Sequence, residues 1–525
     1  MISSQFAIVF VLFFFVAFKR LESAWQDRRF AAANGCKPVP KLQQPEYIIG
    51  IKNVIEGAKA WRTSRWLDMW RDRFSTIGTT FQISALGRTT IFTIDPENVK
   101  TILATKFEDF DVGERRARLF RPLIGSGIFT TDGKAWEHSR SLVRPVFTKA
   151  LVSNFSKYET QFQALLEALP QPCPQTGLVE VDLQPLFARL TLDLATELLL
   201  GRSLCSLLAS PGSTTAQFVD ALDYAQGRIH IHGLWEQPFL RPFAWIYSIL
   251  AGSLDAKFDE ACTTVHEIMD KIIIENLGRL NQKPSHDRNQ DDTGVSDKYI
   301  FLDEIIKATQ DPLQLRYEIL NMLLAGRDTT AGLLSNTFFI LSRRPDIWAR
   351  LQAEVKETFG DRMPEYDALR NMRYVRNLLN ESLRLHPVIP FNSRVAVRNT
   401  TLPRGGGPDG KSPVFVKAGQ PVNYHVWSMH RNAEHFGPNA ELFDPDRWSN
   451  SNLRPGWAYI PFNRGPRVCV GQQFALTEAA YIVVRLVQEF DSIECRDEQW
   501  EWIANIGITT NSQRGARVAL KTRIK

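Results

Sequence analysis

The sequence predicts a mainly α-helical protein with a small β region. Two long segments, "YETQFQALLEALP" and "TTVHEIMDKIIIENL", repeat apolar residues at the helical period. Two shorter segments between Thr79 and Asp95, "TTFQISALG" and "TTIFTID", have strand-like composition and are joined by a Gly-Arg turn signal, which predicts one β-hairpin. We therefore expect an early hairpin followed by a long helical region.

The N-terminus carries the first expected element, a short apolar helix. Residues 6–18, "FAIVFVLFFFVAF", contain no polar side chain. The core of a signal peptide spans roughly 7–15 residues, so a cleaved signal peptide is one interpretation. Lys19 and Arg20 follow the segment instead of preceding it, and no small-x-small cleavage pattern comes directly after it, which favours a retained anchor with the following chain in the cytosol. We expect a membrane anchor over residues 1–20, a basic, proline-containing linker over 21–50 and one large domain over 51–525.

The composition is that of a globular protein. Of the 525 residues, 44% are hydrophobic and 23% are charged, which excludes a wholly disordered chain and a polytopic membrane protein. The net charge of +6 is small for this length and its basic residues are scattered, so nucleic acid is not an expected partner. The six cysteines are too sparse for a disulfide scaffold and form no zinc pattern. We expect them to be reduced.

The longest predicted helix begins at Asp311 and Pro312, an N-cap residue followed by proline at the first helical position. The next proline is Pro345, so the helix spans about 30 residues, on the order of 50 Å at 1.5 Å per residue. Midway it carries "AGRDTTAG" at residues 325–332, whose glycines and short polar side chains interrupt a good helix former. One interpretation is structural: Gly326 is a packing contact, and the Thr329 hydroxyl bonds back along its own helix.

Further motifs surround a single cysteine near the C-terminus. "FNRGPRVCVG" at residues 462–471 places Cys469 just before a long apolar helix, whose dipole favours a negatively charged sulfur. In "LLNESLRLHP", Glu381 and Arg384 lie three residues apart and share one helix face. "FDPDRW" contains Arg447, and "WEHSR" spans residues 136–140.

Together, in this order and with these spacings, the motifs resemble the cytochrome P450 family of haem-thiolate monooxygenases. The family pattern Phe-x-x-Gly-x-Arg-x-Cys-x-Gly is matched at Phe462, Gly465, Arg467, Cys469 and Gly471. The resemblance implies the cytochrome P450 fold, with haem between the long central helix and the cysteine loop. It also implies a haem-thiolate monooxygenase domain over residues 51–525, preceded by the N-terminal membrane anchor helix.

The resemblance assigns roles to individual residues. Cys469 becomes the axial iron ligand, Asp328 and Thr329 deliver protons during oxygen activation, and Gly326 leaves room for oxygen. Residues implied to contact the haem or to shape its loop are Trp136, Arg140, Arg394, Phe462, Gly465, Arg467 and Gly471. Residues implied to form a buried structural network are Glu381, Arg384 and Arg447. Residues implied to contact substrate are Ile128, Val388, Phe391, Ile508 and Thr509.

The nearest likeness is to fungal enzymes that hydroxylate n-alkanes and fatty acids, and it rests in part on "AANGCKPVPK" and "RNTTLPRGGG". A similar pattern occurs in fungal enzymes that tailor polyketides or terpenoids, so both substrate classes stay open. Near the expected substrate loop, the arginines at 115, 116, 118 and 121 form either a solvated basic face or a clamp for a substrate carboxylate.

The resemblance also implies partners and a location. An NADPH-cytochrome P450 reductase supplies electrons, and dioxygen and an apolar small molecule are substrates. Membrane lipid is a further partner, because the chain is expected to cross the endoplasmic reticulum membrane once, with its catalytic domain in the cytosol. The alternative of another class is a membrane-tethered haem binder or sensor without turnover. The presence of Asp328 and Thr329 favours catalysis.

Overall fold

The computed structural model describes residues 2–42, 50–85, 88–147, 153–235, 241–282 and 301–523. The chain divides into two compact units. The first contains residues 1–111, 391–429 and 464–467, and the second contains residues 112–390, 430–463 and 468–525. The prediction of a mainly helical protein with a small β region is confirmed.

The helices and strands are numbered along the chain. The α-helices are α1 (Ile2–Ala33), α2 (Ile51–Arg62), α3 (Trp66–Ile77), α4 (Pro96–Lys100), α5 (Glu114–Ile124), α6 (Gly133–Val143), α7 (Phe155–Glu167), α8 (Leu183–Leu200), α9 (Thr214–Trp235), α10 (Arg241–Gln282), α11 (Phe301–Ala308), α12 (Pro312–Leu341), α13 (Pro345–Thr358), α14 (Tyr366–Asn371), α15 (Arg373–Leu385), α16 (Val426–Met429), α17 (Ala433–Phe436) and α18 (Gln472–Glu489). The strands are β1 (Thr80–Ala85), β2 (Arg88–Thr93), β3 (Phe110–Asp111), β4 (Leu178–Asp182), β5 (Asn392–Ala396), β6 (Thr400–Gly406), β7 (Ser412–Val416), β8 (Pro421–Tyr424), β9 (Phe490–Cys495), β10 (Ala504–Ile506), β11 (Thr510–Ser512) and β12 (Arg517–Thr522).

The first unit is built on a sheet with strand order β1-β2-β8-β5-β3. The predicted hairpin is confirmed, because β1 and β2 pair in antiparallel register with Phe81 opposite Phe92. Residues 86–87, at its turn, lie outside the described part of the chain. Trp70 of α3 stacks on Phe92 with ring centroids 4.2 Å apart. The aromatic content of the hairpin therefore supplies the contact that fixes α3 to the sheet.

Helix α1 extends beyond residue 20, where the predicted anchor segment ends, as far as Ala33. Its second half is tied to the hairpin of β6 and β7, because Asp27 pairs with Lys417 at 2.6 Å and the Phe30 ring lies 5.7 Å from that of Phe415. Nearer its N-terminus, Phe10, Phe14 and Phe18 are each more than half exposed. Among the helices of the described residues, none has the length and apolar character required to span a bilayer.

The second unit is organised around the long helix α12. Its start is the predicted one: the Asp311 carboxylate accepts a hydrogen bond from the Leu313 amide at 3.0 Å, and Pro312 occupies the first turn. The helix is continuous for 30 residues through the segment expected to interrupt it. The hydroxyls of Thr329 and Thr337 bond to carbonyls of the same helix, so these polar groups are satisfied without breaking it. Helix α12 packs against α8, α15 and α18.

Candidate active site

The cysteine loop meets α18 in the second unit. The Cys469 amide donates to the Phe462 carbonyl at 2.9 Å, which folds the loop back on itself. Gly471 comes just before α18, and a Cβ added there would lie 3.3 Å from the Phe147 ring, tighter than an ordinary contact. Phe147 in turn packs edge-on against Phe474 of α18. The loop therefore presents an exposed Cys469 at the beginning of an 18-residue helix.

Two opposing effects act on the Cys469 thiol. Although Cys469 is exposed, the protein surrounding it removes solvation, and this raises the pKa of the thiol. The Gly471 amide and the Arg140 guanidinium lower the pKa but do not outweigh desolvation. The helix N-terminus favours a negatively charged sulfur, as expected from its position, but desolvation is the larger effect on the pKa of this thiol. A coordinated metal ion deprotonates a thiol outright, so an exposed thiol with these two stabilising neighbours fits a haem-thiolate ligand.

Helix α6 brings two predicted haem contacts to this loop. The Arg140 guanidinium donates to the Val468 carbonyl, next to Cys469, at 3.0 Å. It also lies 5.7 Å from the centre of the buried Trp136 ring. The structure thus places Trp136, Arg140 and Cys469 in one neighbourhood of the second unit, and the contacts of Trp136 and Arg140 with haem stay predictions.

Three other predicted haem contacts belong to the first unit. Gly465 has a φ of +73°, and a Cβ there would overlap the Leu103 carbonyl oxygen, so this position requires glycine. Arg394 of β5 is buried and donates to the Ser393 carbonyl at 2.7 Å. Arg467 is half-buried. The contacts of these three residues with haem stay predictions.

The middle of α12 carries the predicted proton-delivery pair. The Thr329 hydroxyl donates to the Ala325 carbonyl of the same helix at 2.6 Å, which is the hydrogen bond of the structural interpretation. A Cβ added at Gly326 would lie 3.6 Å from the Ala195 Cβ of α8, so Gly326 faces a neighbouring helix at ordinary contact distance. Their roles in oxygen chemistry stay predictions.

Asp328 is a largely buried acid beside a completely enclosed arginine. Its side chain is 13% exposed, and its carboxylate lies 3.2 Å from Nη1 of Arg327, which is 2% exposed. Burial raises the pKa of Asp328 to about 6, against the lowering effect of Arg327. A second acid, Asp223 of α9, pairs with the other terminal nitrogen of Arg327 at 2.5 Å. Asp223 and Arg327 belong to no role predicted from the sequence, although an arginine inside an apolar helix was a signal that could have been used.

The predicted structural network is assembled around Glu381. This fully buried carboxylate accepts two hydrogen bonds from Arg384, at 2.7 and 2.8 Å, and one from Arg447 at 3.3 Å. It also accepts from the indole of Trp448 and the amide of Asp444, each at 2.9 Å. Asp444 and Trp448 lie beside Arg447 in the "FDPDRW" segment, and that segment was the signal from which their contacts with Glu381 could have been found.

The predicted substrate contacts fall into both units. In the second unit, the Thr510 amide donates to the Val388 carbonyl at 2.9 Å, which brings Val388 to the turn that contains Ile508 and Thr509. A Cβ added at Gly332 of α12 would lie 3.2 Å from Val388 and 3.3 Å from the Thr510 carbonyl, so this group lies against α12.

Ile128 lies in a loop that is also held to α12. The Asn321 side chain of α12 donates to the Ile124 carbonyl at 2.8 Å and accepts from the Phe129 amide at 3.3 Å. Phe391 belongs to the first unit, where its ring lies 4.7 Å from that of Trp66. Within the second unit, Ile128 and Val388 are thus both positioned by α12.

The arginine cluster on α5 has the character of a solvated face. Arg121 pairs with Glu114 at 2.8 Å, and Arg118 lies 4.0 Å from the same carboxylate. The three side chains are 43 to 57% exposed, so these pairs contribute little to stability. Of the two interpretations of this cluster, the geometry favours the basic face over the carboxylate clamp.

Comparison with known proteins defines the class of protein. The sequence profile of the cytochrome P450 family matches residues 51–515. The chain belongs to this family and is a cytochrome P450 monooxygenase.

Three relatives illustrate the similarity. Cytochrome P450 monooxygenase himC of Aspergillus japonicus is 38% identical over 514 residues, which cover 96% of this chain and 87% of the relative. Cytochrome P450 52A13 of Debaryomyces hansenii is 38% identical over 508 residues, with 94% and 93% covered. Cytochrome P450 52A1 of Candida tropicalis is 43% identical over 431 residues, with 79% and 75% covered.

Proposed function

We propose that this monooxygenase binds haem through the Cys469 thiolate and inserts one atom of dioxygen into an apolar organic substrate. Electrons come from NADPH through a cytochrome P450 reductase. The observation that carries the proposal is the position of Cys469, exposed at the start of α18, with Arg140 of α6 hydrogen-bonded to the neighbouring Val468. When bound, the haem supplies the chemistry that activates dioxygen.

The chain's own residues supply protons to this chemistry. Asp328 can take up and release a proton close to neutral pH, because burial raises the pKa of its carboxyl to about 6, and a general acid works best with a pKa near the operating pH. The Thr329 hydroxyl donates to Ala325, and its oxygen keeps acceptor capacity. Thr329 therefore accepts a proton from the Asp328 side, directly or through an ordered water, and passes its own hydroxyl proton onward.

The substrate that we propose is an alkyl chain or fatty acid. The resemblance to alkane and fatty-acid hydroxylases supports it, as do the apolar side chains of Ile128, Val388 and Ile508 in the second unit. Thr509 adds one hydroxyl that orients a polar end group. The alternative is a tailoring oxidase of a fungal polyketide or terpenoid pathway. A spin-shift screen with dodecane, dodecanoic acid and representative polyketides and terpenoids distinguishes the two, because a fitting substrate displaces water from the haem pocket.

We further propose that α1 attaches the chain to the endoplasmic reticulum membrane once, with the catalytic residues in the cytosol. Exposed Phe10, Phe14 and Phe18 support this. Residues 6–18 would cover about 20 Å as a helix, and Lys19 and Arg20 can snorkel to compensate for a bilayer core of about 27 Å. Removal of residues 1–20 should move the protein to the soluble fraction with haem binding intact. Full retention on membranes would contradict this attachment.

The haem ligand is tested by Cys469→His in the purified protein, with Cys205→Ser as the control at another exposed cysteine. Thiolate ligation gives the reduced carbon monoxide complex its red-shifted Soret band, so the His variant should lose that band and the control should keep it. A haem-containing His variant with the parent's band would contradict the ligand assignment. Parent protein that binds carbon monoxide but oxidises no NADPH with a reductase would instead support the sensor alternative.

A further inference from the structure

Arg327 of α12 lies between two acids that come from different helices. Its Nη2 contacts Asp223 of α9 at 2.5 Å, and its Nη1 contacts Asp328 at 3.2 Å. The three side chains differ in exposure: Arg327 is 2% exposed, Asp328 is 13% exposed and Asp223 is 54% exposed. A solvated acid thus reaches inward to an enclosed arginine that also touches the predicted proton donor.

The two acids share the arginine unequally. An enclosed guanidinium requires an anionic partner, and the shorter contact is the one to Asp223. Asp328 is left with one longer contact to the same guanidinium. The Asp223 charge also raises the pKa of Asp328 directly, by repulsion.

Other groups around Asp328 do not replace Asp223. Within the described residues, Arg327 and Asp223 are the charged groups that shift the pKa of Asp328. From α9, a hydrogen bond from the neutral Gln226 side chain also lowers the pKa of that carboxyl. From α8, the neutral Thr191 hydroxyl donates to the Arg327 backbone carbonyl at 2.8 Å. The balance of charge at Asp328 is therefore decided by Asp223 and Arg327.

We infer that Asp223 is a positioning residue for proton delivery: by pairing with Arg327 it keeps the guanidinium from forming a full ion pair with Asp328, so that the Asp328 carboxyl holds a transferable proton. This inference rests on the proposed role of Asp328. Without the Asp223 charge, Arg327 has Asp328 as its one anionic partner among the described residues. Asp328 would then ionise and stay locked in that pair.

The experiment is an infrared titration of the carbonyl stretch of protonated carboxyl groups in the resting holoenzyme. Subtracting the spectrum of Asp328→Asn assigns the Asp328 band among other buried carboxyls such as Glu478 and Glu318. In the parent, this band should titrate near the pKa of about 6. In Asp223→Asn its midpoint should fall by at least one pH unit, a tenfold loss of the protonated form at neutral pH. A folded Asp223→Asn protein with the parent's midpoint would overturn the inference.

Two further variants sharpen the result. Asp220→Asn removes an exposed charge three residues earlier on α9 and should leave the midpoint unchanged. Asp223→Glu keeps the charge on a longer side chain and should retain a midpoint near the parent's. If the infrared midpoint of Asp223→Glu fell as far as that of Asp223→Asn, the inference would be overturned. If Asp223→Asn does not fold, Asp223→Glu still tests the inference, because a midpoint at least one pH unit below the parent's would overturn it.

The inference and the proposed function fail in different ways. The NADPH consumed by the reductase-supported holoenzyme, with dodecanoic acid as the probe, is divided between oxidised product and hydrogen peroxide. If Asp223→Asn lowers the infrared midpoint while Asp328→Asn keeps the parent's ratio of product to peroxide, the electrostatic link stands and the proposed role of Asp328 is wrong. If Asp328→Asn increases peroxide while Asp223→Asn changes neither the midpoint nor the ratio, the inference alone is wrong.

Discussion

Glu381 and Asp328 are both enclosed carboxylates of the second unit that contact arginine, but they differ in the number of hydrogen bonds they accept. Glu381 accepts from Arg384, Arg447, Trp448 and the Asp444 amide. Asp328 contacts one arginine nitrogen at 3.2 Å, and that arginine has a shorter contact with Asp223. Fixed N–H donors replace the lost hydration of Glu381, whereas burial dominates at Asp328 and raises the pKa of its carboxyl.

Glu381 has the surroundings of an acid that holds the fold together, whereas Asp328 has those of an acid that transfers protons. A carboxylate that accepts N–H hydrogen bonds at both oxygens is stabilised as an anion, and it holds the groups that donate those bonds in fixed positions. An acid with few donors in an enclosed place retains a proton near neutral pH and can transfer it. Glu381 and Asp328 are therefore distinguished by the hydrogen-bond donors around them.

The largest expected effect is that of Glu381→Gln. It removes the negative charge that compensates Arg384, which is fully buried, and breaking such a pair costs about 3–5 kcal/mol. The free energy of unfolding, measured by urea denaturation, should fall by that amount, or no folded haem protein should be recovered. Glu304→Gln, in an exposed pair with Lys307, is the control and should cost no more than about 1 kcal/mol. Equal losses in the two variants would contradict the structural role of Glu381.

A smaller effect concerns His430, which is packed beside the same network. Burial, and then Arg384, lower the pKa of His430 to about 3. Its Nε2 accepts from the Ile460 amide at 3.0 Å, so the ring is neutral with the proton on Nδ1, which faces the Arg384 carbonyl. Because the folded-state pKa lies below the ordinary value of about 6.5, the neutral ring stabilises the fold above pH 6.5, and this contribution is lost as the pH falls toward 3.

The test of His430 is the slope of unfolding free energy against pH. As the pH falls from 6.5 to 5, the parent should lose unfolding free energy faster than His430→Asn. The difference between the two slopes should be about 1.4 kcal/mol per pH unit. The exposed His138 provides the control variant His138→Asn, which should keep the parent's slope. If His430→Asn also keeps that slope, the ring is not held neutral in the fold.

The smallest stability effect is expected for Thr329→Ala, which distinguishes a proton-delivery role of Thr329 from a packing role. Loss of the hydrogen bond to Ala325 should cost about 0.5–1.5 kcal/mol, typical of one neutral bond. Haem binding and the carbon monoxide spectrum should stay near those of the parent, while product formed per NADPH falls and hydrogen peroxide rises. If the variant were less stable but formed as much product per NADPH as the parent, Thr329 would have only a packing role.

Features of the fold that depend on neighbouring residues in the chain were predicted well from the sequence. Asp311 and Pro312 gave the start of α12, and the spacing of Glu381 and Arg384 gave their shared helix face. The pairing of Asp223 with Arg327 joins residues 104 positions apart on different helices, so no local pattern indicates it. Desolvation by the surrounding protein raises the pKa of the Cys469 thiol, and this effect is not visible in the sequence, whereas the helix N-terminus beside it is.

The central claim, that Asp328 transfers protons while Glu381 holds structure, is tested most directly by the fate of NADPH in Asp328→Asn. Product and hydrogen peroxide per NADPH should be measured with a reductase and dodecanoic acid, or with whichever substrate the spin-shift screen identifies. We expect a folded protein with the parent's carbon monoxide spectrum, in which peroxide increases at the expense of product. A folded Asp328→Asn protein that forms as much product per NADPH as the parent would contradict the claim.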